Sequence, residues 1–300
     1  MKKKTYLFAL MAMVLTLGSC SDNENGIGGE TSKYITVSTS IGNMTRVATD
    51  ANGGQTFEEG DEISVYAWTG DATVAPETRE RVVNNAINKL TNGSWISNPQ
   101  MLWKNNRDKH YFIGVYPISA ISDLSAGEYT FDETKQVESD LLVAVNKDGL
   151  SYNVDEQQPV PLTFTHVMAK LVVNLTYKNQ WGGIPTVEKV VVGNAAKEAT
   201  INYLTKVVTP STTAKEDFSL PEITENTKYV SVIIPQEDVK QLTIVIDGKN
   251  FVYDNGTPFK LESGKITTVN LEVGRDEIKL GDVKITNWED GSTFSGEALN

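Results

Sequence analysis

The chain has 300 residues, one cysteine, and Lys+Arg 27 against Asp+Glu 39, for a formal net charge of −12. One cysteine excludes an internal disulfide and a multi-cysteine zinc site, and the acidic balance excludes an electrostatic nucleic-acid binder. Hydrophobic residues at 39% with 22% charged mark a globular chain, and plentiful Thr, Val, Ile and Tyr with 23 Gly point to β structure.

Lys2, Lys3 and Lys4 open the chain, and Tyr6 to Leu17 is an uncharged apolar run too short for a comfortable membrane span. It ends at Leu17-Gly18-Ser19-Cys20. That junction resembles the lipobox of bacterial lipoproteins. The resemblance implies a diacylglyceryl group on the Cys20 thiol, cleavage before it, and acylation of the new amine. A plain signal peptide is the alternative. Residues 1–19 read as the signal peptide and 20–32 as a flexible tether. Losing Lys2, Lys3 and Lys4 takes Lys+Arg from 27 to 24 against Asp+Glu 39, a net of −15. An anionic surface repels such a body, so lipid must anchor it. Ser21-Asp22-Asn23-Glu24-Asn25-Gly26 resembles the acidic tether that directs lipoproteins of Bacteroidales-type bacteria to the outer face of the outer membrane.

Beyond the tether the pattern is strands. Ile35, Val37, Thr39 and Ile41 share one face of Tyr34–Ile41. A turn-rich stretch, 42–61, precedes a strand at Ile63–Trp68. Asn92-Gly93 suggests a hairpin between Ala86–Leu90 and Trp95–Ile96, with a helix through Val82, Val83, Ala86, Ile87 and Leu90 as the competing reading. His110–Tyr116 and Leu141–Val145 are further strands. The polar gap Asp155–Pro159 separates two halves. Pro161–Tyr177, Val187–Val192, Tyr229–Ile234, Leu242–Ile246, Phe251–Tyr253 and Thr267–Val273 follow, with a turn at Asp247–Asn250. Ile278 and Leu280, then Val283 and Ile285, form two short alternating runs about Gly281. The expected architecture is all-β: two tandem β-sandwich domains of transthyretin-like or Greek-key type, over 33–157 and 158–300.

The order of motifs resembles Bacteroidales fimbrillin-like proteins, subunits of donor-strand (type V) pili. An alternating strand leads to Thr45-Arg46-Val47-Ala48-Thr49. Phe57 to Tyr66 resembles the family's aromatic–Gly-Asp–strand element. Trp103 with Tyr111-Phe112-Ile113-Gly114-Val115-Tyr116-Pro117 resembles its aromatic strand. Phe164 to Val173 resembles the segment opening its second domain, and the chain ends in a strand and Trp288. The resemblance implies a lipidated precursor of the outer membrane surface. A trypsin-like protease then cuts after an arginine, here Arg46 before Val47, and removes the strand bearing Ile35, Val37, Thr39 and Ile41. A neighbour's terminal strand fills the groove. The donor candidate is the segment of Ile278, Leu280, Val283 and Ile285, whose other reading is the last strands of the second domain. A permanent first strand is likewise the alternative at Tyr34–Ile41. Partners are other pilus subunits, the outer membrane through Cys20, and a host or bacterial surface ligand.

No His-Glu-x-x-His, Gly-x-Ser-x-Gly or phosphate-cradling loop occurs, so no enzyme, cofactor or metal is expected. His110 and His166 lie in strand-like segments and read as structural. Glu58, Glu59, Asp61 and Glu62 read as a solvated turn edge rather than a glycosidase or calcium site. Five Trp and eleven Tyr leave a second hypothesis, a lipid-anchored surface glycan-binding protein, whose mark is an exposed coplanar aromatic pair.

Overall fold

The computed structural model describes residues 33–42, 56–153, 158–254, 256–275 and 277–288. The strands are β1 (Val37–Ile41), β2 (Glu62–Thr69), β3 (Arg81–Thr91), β4 (Ser94–Asn98), β5 (His110–Tyr116), β6 (Gly127–Thr130) and β7 (Leu142–Leu150). Next come β8 (Val160–His166), β9 (Ala169–Tyr177), β10 (Val187–Ala196), β11 (Glu198–Asn202), β12 (Val207–Pro210) and β13 (Lys215–Leu220). The last are β14 (Glu222–Thr224), β15 (Lys228–Ile233), β16 (Gln241–Ile246), β17 (Lys249–Asp254), β18 (Lys265–Val273) and β19 (Ile278–Asn287). The expected all-β class is what the chain adopts.

A seven-stranded sheet runs β1-β8-β7-β5-β2-β3-β4. It curls until its edges meet, and Trp95 Nε1 on β4 donates to Thr39 Oγ1 on β1 at 3.0 Å. Inside the curl lie Ile35, Val37, Val65, Phe112, Ala144, Leu162 and Phe164. The outer face is buried too. Tyr66, Trp68, Ile113, Val115 and Val143 join a larger core with Ile121, Phe131 and Ile201. Burial on both faces explains why Ile63–Trp68 is apolar almost without interruption. A five-stranded sheet, β14-β15-β9-β18-β19, and a four-stranded sheet, β13-β10-β16-β17, share that larger core through Leu171, Val173, Val190, Val192, Leu242 and Ile244.

The residues of the competing helix, Val82 to Leu90, lie in strand β3, which turns back into β4 through Asn92-Gly93. Their φ values of 50° and 72° suit a two-residue turn of the mirror-image type I family. Asp247 and Gly248, at 51° and 70°, do the same between β16 and β17. The expected single run Pro161–Tyr177 is two strands in two sheets. β8 pairs with β1 and β7, and β9 pairs with β15 and β18. The break falls at Val167-Met168, where Val167 N–H donates back to Leu141 O at 3.0 Å. A division into folding units at 157/158 is a proposal. Strands cross it: β8 lies in the first sheet, and β6 pairs with β11.

Inside the curled sheet, a Cβ on Gly114 would stand 2.6 Å from Phe164 Cζ and 3.1 Å from Leu162 Cδ1. Gly114→Ala is therefore expected to destabilise the protein by about 1–3 kcal/mol through overpacking. Urea midpoints compare the two proteins, and an unchanged midpoint means the Phe164 ring moves aside without cost.

Candidate functional site

The first strand is sealed into the body. Its parallel register with β8 sets Val37 opposite Val160, Thr39 opposite Leu162 and Ile41 opposite Phe164. Backbone bonds extend the seam at both ends: Val160 N–H to Thr36 O at 2.8 Å and Gly42 N–H to Phe164 O at 2.6 Å. On the other edge, Ile35 N–H reaches Met101 O at 2.9 Å and Trp103 N–H reaches Lys33 O at 3.1 Å. The alternation is what makes this possible: Ile35 and Val37 are buried, Thr39 and Ile41 half-buried, and Ser38 and Ser40 exposed.

Phe57 closes the Ile41 end of the seam. Its ring meets Trp95, Tyr116 and Phe164 edge-on at centroid distances of 5.3, 5.4 and 5.1 Å. It lies beyond Arg46 in the chain. Arg46, Val47 and Cys20 themselves lie outside the described residues.

The last strand is the opposite case. β19 hangs on the edge of its sheet, antiparallel to β18. Ile278, Leu280, Val283 and Ile285 stand opposite Val273, Leu271, Val269 and Thr267, all four of which are buried. The two short runs form one strand, because a register shift at Asn270/Leu271 leaves Gly281 without a ladder partner. That bulge resets the alternation and puts all four apolar side chains on one face. Yet Leu280, Val283 and Ile285 remain 37–39% exposed.

A family model described as fimbrillin-like matches residues 45–288. The chain belongs to the fimbrillin-like family. A relative named as a fimbrium subunit, Fim1C of Bacteroides uniformis, is 25% identical over 316 residues, covering 97% of both chains. Among solved structures, a cell adhesion protein of Bacteroides uniformis matches with TM-score 0.63 at 19% identity, over 86% of this chain and 100% of that one. A fimbrial protein of Bacteroides vulgatus matches with TM-score 0.54 at 13% identity, over 86% and 100%. These structures show that the fimbrillin-like chain shares their fold.

The remaining polar candidates have structural duties. Asp61 Oδ2 accepts Glu58 N–H at 2.7 Å, Glu59 Oε1 accepts Asn92 N–H at 2.7 Å, and Glu62 pairs with Lys89 at 3.3 Å. His110 is fully buried, with Nε2 accepting Lys104 N–H at 3.1 Å and Nδ1 beside Asp108 O at 3.0 Å. Burial pushes its pKa down, so the neutral ring with Nδ1–H donating fits both contacts. Tyr66 and Trp68 are core residues, and the coplanar ring pair found among the described residues, His166 on Trp288, is buried rather than exposed.

That pair belongs to a cluster that sequence reasoning missed. His166 Nδ1 lies 2.7 Å from Asp140 Oδ1. Lys170 Nζ stands 4.5 Å from the centre of the Trp288 ring. His166 and Lys170 come from one short segment, but Asp140 and Trp288 lie 26 and 122 residues from His166, so no spacing could announce the cluster.

Proposed function

We propose that this chain is a fimbrial subunit of the bacterial cell surface. It is exported as a lipoprotein acylated at Cys20 and assembled by strand exchange after cleavage between Arg46 and Val47. The role is structural rather than catalytic. Each buried methylene of the lipid adds about 0.8 kcal/mol, enough for several chains to hold an acidic body at the outer membrane. Cutting after Arg46 removes lipid and β1 together. The groove left behind would bare Val160, Leu162 and Phe164 and the unpaired edge of β8, which favours a strand from outside. The segment Glu277–Thr286 of a second copy is the donor.

The observation that carries the reading is the contrast between two apolar rows. One, with Ile35 and Val37 buried and Thr39 and Ile41 half-buried, lies ahead of the cleavage candidate, and the other, with Leu280, Val283 and Ile285 exposed by more than a third, is on the last strand. The fimbrium name of the Bacteroides uniformis relative supports the same role.

Purified precursor labelled with palmitate is expected to lose the label and form detergent-resistant ladders when a trypsin-like protease cuts at Arg46. Arg46→Ala is expected to stay labelled and monomeric, and Cys20→Ala to carry no label at all. A wild-type protein that remains monomeric after clean cleavage is not a polymerising subunit.

A further inference from the structure

β19 is exposed along most of its length, yet Trp288, the residue after it, is 7% exposed. The Trp288 indole lies flat on the His166 imidazole, with centroids 4.2 Å apart and planes 9° apart. Lys170 Nζ faces the indole 4.5 Å from its centre. Trp288 N–H donates to Gly264 O at 3.2 Å, and Gly264 N–H donates to Met168 O at 2.8 Å. Asp140 holds His166 from behind.

Each contact favours a flat, electron-rich ring. A buried ammonium is attracted to the face of an indole, and an imidazole stacks on it. Lys170 is 1% exposed, and the indole face is one of the groups against which its ammonium is buried. The indole Nε1 is buried with no hydrogen-bond partner among the described residues. The seat therefore recognises the ring and not its N–H, and an unsatisfied donor makes the seated state easier to leave.

From this we infer that His166, Lys170, Asp140 and Gly264 form an aromatic socket, and that Trp288 is its detachable occupant, latching the last strand to the body. The socket stands on geometry alone. Its bearing on assembly rests on the strand-exchange reading, in which the latch must open before β19 reaches a neighbour. β8 links the two events: it carries His166 at one end, and Val160–Phe164 pair with β1 along the rest.

Hydrogen exchange and lysine acylation of the full-length, uncleaved chain test the socket without any need for assembly. In Trp288→Ala, amides of 278–287 are expected to exchange at least tenfold faster. Those of β9 and β15 should stay as in the wild type. Lys170 should react with acetic anhydride at least tenfold faster. Trp288→Phe should behave as the wild type in both measurements, because the indole N–H contributes nothing. Free indole added to Trp288→Ala should slow Lys170 acylation again. Unchanged exchange of 278–287, a Phe variant as loose as the Ala variant, or no protection by indole would each overturn the proposal. So would equal loosening of β9 and β15, which would make Trp288 an ordinary core residue. Ladder formation plays no part in these readouts, so they fail or succeed independently of strand exchange.

Discussion

Val37→Asp is expected to lower the unfolding free energy by about 3 kcal/mol or more, whereas Ile285→Asp should cost less than about 1 kcal/mol. Both residues belong to an alternating apolar row in a terminal strand, and sequence alone gives no reason to separate them. The structure does. Val37 is 6% exposed inside the curled sheet, opposite Val160 and packed with Ile35, Val65, Phe112 and Phe164. A carboxylate there loses its hydration, so it must take up a proton or expel the strand. Ile285 is 39% exposed on an edge strand, where water reaches a new carboxylate directly. Urea unfolding of the uncleaved chain measures both effects, compared at matched slope. Equal costs would mean that the first strand is no better seated than the last. The removable-strand reading would then lose its physical basis. The expected difference also fits the proposed roles. A strand that must leave only after proteolysis is held by burial, and a strand to be given to a neighbour is held mainly by its ladder and its end.

How far the sequence carried the fold depends on what each segment buries. His110–Tyr116 was readable to the residue, because a central strand with both faces covered is apolar and ends at Pro117. The Asn92-Gly93 and Asp247-Gly248 turns were readable because residues at positive φ leave few alternatives. β6 and β11 to β14 were not. They are short and mix Thr, Lys and Glu, and at most two residues of each, such as Ala199 and Ile201 of β11 or Phe218 and Leu220 of β13, point into the core. The change of sheet at Val167-Met168 left no mark either, since apolar residues continue across it and neither Gly nor Pro interrupts them. Of the candidate site, the periodicity of Ile35, Val37, Thr39 and Ile41 was plain, but its parallel pairing with residues some 120 positions on was not. Periodicity reports which face is apolar. It says nothing of how well that face is covered, and for β19 that coverage is what the proposed donor role turns on.

Lys170 supplies a pH signature of the same region. Its ammonium is held down to about 8 first by burial, with Asp140 opposing the shift and Lys228 adding to it, while His166 and the Trp288 ring stand close by. In the unfolded chain a lysine titrates near its usual value of about 10.4. Below pH 8 both states are protonated, and the folded state bears the full cost of a buried charge. Between about pH 8 and 10 the unfolded chain holds the extra proton, so stability rises with pH. A depression of this size corresponds to about 3 kcal/mol at most, less whatever the indole face returns. Above pH 10 the trend reverses. Burial raises the pKa of Tyr116 to about 12 and pushes Tyr129 and Tyr203 up as well, so unfolded tyrosines ionise first. Lys170→Met keeps most of the volume without the charge, and subtracting its pH–stability curve from that of the wild type isolates the lysine. The variant is expected to be more stable at pH 7, with the gap narrowing by about 2–3 kcal/mol between pH 8 and 10. Parallel curves would show that Lys170 gives up its proton no more readily in the folded protein than in the unfolded chain. In Trp288→Ala, where water reaches the ammonium, the narrowing should shrink toward nothing, which ties the pH profile to the seat of the last strand.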